Sequence, residues 1–194
     1  MNRNLTEIIF VLDRSGSMCG LEKDTIGGVN SLIEKQCQTK GETIITLILF
    51  DNEYEVVWNG VDANKVRLSE KEYEVRGITA LLDAVGKTIL DVGHRLSKTD
   101  EAERPGKVLF VITTDGQENA SQEFTYKKIQ EMIKHQEETY NWEFLFMGAN
   151  IDVAKEAENM GIQHDKAYRF EATSEGVETM YDFVCEEIMR IREE

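Results

Sequence analysis

Glu7-Ile8-Ile9-Phe10-Val11-Leu12-Asp13-Arg14-Ser15-Gly16-Ser17 decides how this chain is read. The apolar run from Ile8 to Leu12 is too short for a helix and rich in β-branched residues. It predicts a strand buried on both faces, as in the middle of a parallel sheet. The run stops at a carboxylate, and a charge just beyond a buried strand is costly unless it is paired or coordinates a metal. Lys107 to Thr113 has the same character and a similar ending, Thr113-Thr114-Asp115-Gly116.

Outward from these two runs, strand and helix patterns alternate. Ile26, Val29, Ile33 and Cys37 recur at helical spacing over about 24–37, and Gly41 breaks the segment. Thr43 to Phe50 is a second buried strand. Asp51-Asn52 is a turn signal and Tyr54 to Trp58 a third run, so the pair predicts a hairpin. Residues 61–77 are polar and without a clear period. Leu82, Val85, Ile89, Val92 and Leu96 predict a helix over 80–96, and Pro105-Gly106 closes the connection to the fourth strand. Further on come a helix from about Gln122 to His135, a strand from Trp142 to Met147 and a short helix over 151–160 stopped by Gly161. An edge strand from Ala167 to Phe170 and a helix over 174–191 follow.

This alternation implies an α/β, Rossmann-like, doubly wound fold. The expected sheet has six strands, mostly parallel, with one antiparallel edge strand and helices on both faces. The length suits a single domain spanning 1–194. In such sheets ligands bind beyond the carboxyl ends of the strands, where the strand order reverses.

Bulk properties narrow the partners. The net charge is −15, from 22 basic and 37 acidic residues, which disfavours nucleic acid and anionic membrane surfaces. The first residues lack the apolar core of a signal peptide, and the longest apolar stretches fall far below the roughly 20 residues of a membrane span. Cys19, Cys37 and Cys185 form no CxxC, and an odd number fits free thiols in a reducing compartment. A cytoplasmic protein is expected.

The chemistry lies at the strand ends. If the two strands are neighbours, Asp13 and Asp115 repel each other, and a divalent cation between them removes the repulsion. Ser15 and Ser17 flank Gly16 in a tight loop, so both hydroxyls can face one point. These are hard oxygen donors, suited to Mg²⁺, with Mn²⁺ or Ca²⁺ as alternatives, and not to a soft metal.

Asp13-x-Ser15-x-Ser17 after an apolar strand resembles the metal-ion-dependent adhesion site (MIDAS) of von Willebrand factor type A (vWA) domains. Two further pieces match. Gly77-Ile78-Thr79-Ala80-Leu81-Leu82-Asp83-Ala84 supplies the threonine, Thr79, and Val111-Ile112-Thr113-Thr114-Asp115-Gly116 the aspartate, Asp115. Ile78 departs from the small residue usual in that place. The resemblance implies that Ser15, Ser17 and Thr79 touch the metal directly, while Asp13 and Asp115 act mostly through waters or alternate in contact. One coordination position would stay open for an Asp or Glu of a protein partner. Met18, Cys19, Glu118 and Asn150 would form the rim. The resemblance also implies a binding module and not an enzyme.

Competing readings are weaker. A Mg²⁺-dependent phosphohydrolase of the haloacid dehalogenase type also places an Asp after its first strand, but it needs a second Asp two residues on, where this chain has Ser15. There is no G-x-G-x-x-G, no P-loop and no G-x-S-x-G. Asp83 reads as a first-turn helix charge. His94, His135 and His164 lack zinc-ligand spacing. Met18 and Cys19 read as packing residues, and Gln136-Glu137-Glu138 and Arg192-Glu193-Glu194 as solvated charges.

Overall fold

The computed structural model describes residues 1–193; Glu194 lies outside them. The elements run β1 (Asn2–Asp13), α1 (Glu22–Cys37), β2 (Glu42–Phe50), β3 (Tyr54–Asp62), α2 (Leu81–Lys98), β4 (Pro105–Thr114), α3 (Tyr126–Tyr140), β5 (Glu143–Gly148), α4 (Val153–Met160), β6 (Ala167–Arg169) and α5 (Ser174–Glu193). The strands form one sheet in the order β3-β2-β1-β4-β5-β6. Every pairing is parallel except β2 with β3. This is the expected Rossmann-like architecture with its single antiparallel edge strand.

The alternation of β1 divides the core. Ile8, Phe10 and Leu12 pack with Val29, Leu32, Val184 and Ile188 of α1 and α5. Ile9 and Val11 pack on the other face with Val85, Ile89, Ile129 and Ala157 of α2, α3 and α4. A strand with both faces covered must be apolar at successive positions, and that is why the run at 8–12 does not alternate with polar residues. No helix among the described residues is long and apolar enough to cross a membrane.

Several boundaries differ from expectation, among them the end of β3 at Asp62 and of α3 at Tyr140, and three differ for identifiable reasons. β1 begins at Asn2 because its polar start still pairs with β2 and β4. Pro105 opens β4 instead of ending the connector, a place where a missing N–H is tolerated. α3 starts four residues later than read. The N–H groups of Gln122, Glu123 and Phe124 are held by the Asp83 carboxylate, and the Thr125 side chain then caps the helix.

Arg192 is not simply solvated. Its guanidinium donates to Gln36 Oε1 at 3.0 Å, Thr43 Oγ1 at 2.8 Å and the Lys40 carbonyl at 3.1 Å, tying α5 to α1 and β2.

A candidate metal centre at the sheet's switch point

β1 and β4 are neighbours, and Leu12 pairs with Thr113, so Asp13 and Asp115 leave the sheet side by side. The sequential order reverses between these two strands. The crevice beyond their carboxyl ends is therefore the switch point of the fold.

The hydrogen bonds link four of the five residues named from the sequence. The Ser15 N–H donates to Asp13 Oδ1 at 2.6 Å. The Ser15 and Ser17 hydroxyls lie 3.0 Å apart, and Ser17 donates onward to Asp115 Oδ1. Thr79 completes the set from the opposite loop. A Cβ built on Gly116 would sit 3.3 Å from both Ser17 Oγ and Thr79 Oγ1, so these hydroxyls close over a glycine. Asp13, Ser15, Thr79 and Asp115 are buried, and Ser17 is exposed, so the cluster opens to solvent at Ser17.

Its electrostatics are unbalanced. Burial raises the Asp13 carboxyl above its ordinary range, against the opposing hydrogen bonds from Ser15 and Thr114. Burial also raises Asp115, with the Asp13 charge adding to the effect. Asp115 Oδ2 is buried with no partner. Among the described residues no three His, Cys, Asp or Glu side chains gather into a metal cluster. The donors here are two carboxylates and three hydroxyls. That all-oxygen set and the orphaned carboxylate oxygen fit a hard divalent cation.

The surrounding frame was only partly legible. Thr114 donates to Asp13 Oδ2 at 2.7 Å, and Tyr73, from the polar 61–77 segment, donates to the Asp13 carbonyl at 2.8 Å. Asp51 follows β2 as Asp13 follows β1, and this same strand-end signal marked more than a turn. Buried Asp51 faces Arg14 at 3.4 Å and Arg76 at 3.0 Å, and its carbonyl accepts the Ala80 N–H at 2.8 Å. It thereby ties the loop carrying Thr79 to the loop carrying Ser15. Gly77 makes the bend at φ +71°. Ile78, the departure from the usual small residue, points outward and is 54% exposed.

Two rim assignments change. Glu118 is turned inward, accepting the N–H groups of Leu82, Ala120 and Ser121, so it caps α2 instead of facing a partner. Asp83, read as a first-turn helix charge, answers Glu118 by accepting the N–H groups of 122–124. Asn119 exchanges two hydrogen bonds with the Thr79 backbone, each 3.0 Å. Cys19, read as packing, is exposed, while Met18 is buried beneath the loop.

With that geometry in view, solved structures supply a comparison. Proximal thread matrix protein 1 from the mussel byssus, in a form with a zinc-occupied MIDAS motif, aligns with 93% of this chain at TM-score 0.64 and 16% identity. The PilB minor pilin from Streptococcus sanguinis aligns with 97% at TM-score 0.63 and 13% identity. The fold is vWA-like. This chain spans 44% of that mussel protein chain and 61% of the pilin chain. No family model matches the sequence, and no curated protein matches it. The likeness therefore lies in the vWA-like backbone, and the metal centre rests on this chain's own side chains.

Proposed function

We propose that this chain is a divalent-metal-dependent binding module. Asp13, Ser15, Ser17, Thr79 and Asp115 hold the cation, and the cation captures an Asp or Glu carboxylate of a protein partner. The observation that carries this reading is the convergence of those five side chains at the switch point, with Asp115 Oδ2 buried and unpartnered. The zinc-occupied MIDAS of the mussel protein supports it.

Mg²⁺ suits the donor set best, with Mn²⁺ or Ca²⁺ as alternatives. Three hydroxyls and two carboxylates leave the ion electrophilic, so an anionic oxygen at an open position makes a charge-assisted contact. The cation also supplies the local positive charge that a chain of net charge −15 otherwise lacks for an acidic partner. Binding and not catalysis is the role, because Ser15 stands where a phosphohydrolase of this layout would need its proton-transferring acid. The three free cysteines fit a cytoplasmic setting.

The test is calorimetric titration of Mg²⁺ and Mn²⁺ into chelator-treated protein, beside Asp13→Ala and Asp115→Ala. One saturable site, lost in both variants with the circular dichroism unchanged, is the expected result. A glutamate-containing peptide should then bind only the metal-loaded wild type. Equal metal binding by wild type and both variants would refute the site. Steady turnover of an aryl phosphate with Mg²⁺, abolished by Asp13→Ala, would favour the phosphohydrolase instead.

A further inference from the structure

We infer that the groove between α2 and α3, at the amino ends of β4 and β5, is a second binding site, and that it takes a small amphipathic organic anion such as a medium-chain or aryl carboxylate. It lies at the opposite end of the sheet from Asp13 and Asp115, and it does not depend on the metal reading.

Size and lining come first. The groove holds about 720 Å³, within the range of small-molecule sites, roughly 300–1,000 Å³. Its floor is apolar: Ile89, Val108, Met132 and Trp142 are buried there. The Trp142 ring stacks on Phe110 with centroids 5.4 Å apart, which makes a flat, rigid base. Six large apolar side chains are exposed among the described residues, and three of them, Met1 (63%), Leu90 (56%) and Tyr140 (56%), stand around this one groove. Single exposed apolar residues are ordinary, but half of them gathered at one concavity form a patch.

Charge then selects the ligand. Acidic residues outnumber basic ones over the whole chain, 37 to 22. Around the groove the balance inverts: the cations Arg104 and Lys128 stand against a single acid, Glu131. The Arg104 guanidinium donates to the carbonyls of Thr99 and Ser97 and not to a carboxylate, so its charge is not neutralised. An apolar floor and a cationic rim together describe the complement of a hydrophobic body carrying an anionic head.

The test uses the full chain in chelator, so that the metal centre is silent. Decanoate is titrated by calorimetry against decanol and decyltrimethylammonium, which share its body and differ in head charge. Gly93 lies on the α2 wall, and a Cβ there meets nothing within 4 Å. Gly93→Leu therefore fills the groove while improving helix propensity, and its unfolding midpoint should equal or exceed that of wild type. We expect one decanoate site. Decanol should bind at least tenfold more weakly, and the cation not at all. Gly93→Leu should weaken decanoate at least tenfold and Lys128→Glu about threefold, while Asp13→Ala should have no effect. No decanoate binding, unchanged binding by Gly93→Leu, or decanol binding as tightly as decanoate would each overturn the inference.

Discussion

Replacing Asp115 with Asn sets the stability of the metal-free chain against its capacity to bind metal. Asp115 is 1% exposed, one of its oxygens has no partner, and Asp13 shares the same cluster through Ser15 and Ser17. A buried acceptor left unsatisfied costs about 1–3 kcal/mol, and more when it is charged. Asn keeps the shape, can still accept from Ser17, removes the charge and turns the orphan oxygen into a donor. In chelator at neutral pH the variant should therefore be more stable than wild type by about 1–2 kcal/mol. Magnesium should reverse the order. A ligand at about 100 times its Kd stabilises the folded state by about 2.7 kcal/mol, and only wild type can take that gain. Acid should narrow the difference seen in chelator. Because burial and then the Asp13 charge raise the Asp115 carboxyl, the folded chain holds this proton more tightly than the unfolded chain does. The group's contribution to stability is present below the ordinary carboxylate value of 3.8 and is lost as pH rises through the raised folded value. The assay is urea unfolding followed by circular dichroism, with chelator and with saturating Mg²⁺, across that window. A variant less stable than wild type in chelator, or stabilised equally by Mg²⁺, would refute the reasoning.

Other substitutions probe the frame. Tyr73→Phe removes the 2.8 Å hydrogen bond to the Asp13 carbonyl and should cost about 1 kcal/mol in urea unfolding; no loss would mean that Tyr73 contributes only its ring. Gly77→Ala forces a side chain onto φ +71° and places its Cβ 2.3 Å from Asn52 Oδ1. It should cost about 2 kcal/mol or more and weaken Mg²⁺ in calorimetry by displacing Thr79, so wild-type values for both would count against the loop's role. Asp83→Ala frees three N–H groups at 122–124 and should destabilise by about 1–3 kcal/mol. Hydrogen exchange should show the segment before α3 losing protection, and unchanged protection there would argue against the latch.

Much of this molecule was legible along the chain. The apolar runs at Ile8–Leu12 and Lys107–Thr113 predicted central strands because a sheet covered on both faces demands apolar residues at successive positions, and that demand is local. Asp13 and Asp115 stood out for the same local reason, as charges set at the ends of buried strands. The helical periods located α1, α2 and α5 closely, since the stripe on each helix is written in its own residues. The resemblance to a vWA metal site then named Thr79, which no periodicity marks.

The rest depended on which elements meet. Asp51 carries the same strand-end signal as Asp13, yet it lies on β2, away from the switch between β1 and β4, and so it pairs with Arg14 and Arg76. The Asp-x-Ser-x-Ser motif sets Asp13 apart locally, but the ion partners of Asp51 are brought to it only by the fold. Glu118 read as a rim residue and Asp83 as a first-turn helix charge until the fold set the loop before α3 against the start of α2, where each carboxylate satisfies N–H groups of the other segment. Tyr73 lay in a stretch without a period, because its role is set by Asp13 above it. His94 and His135 share no motif, yet α2 and α3 bring them to one groove. Backbone pairing and burial act over a few neighbouring residues and are written in the sequence. Capping, ion pairing and the convergence of a donor set act through space, and only the tertiary structure places their partners.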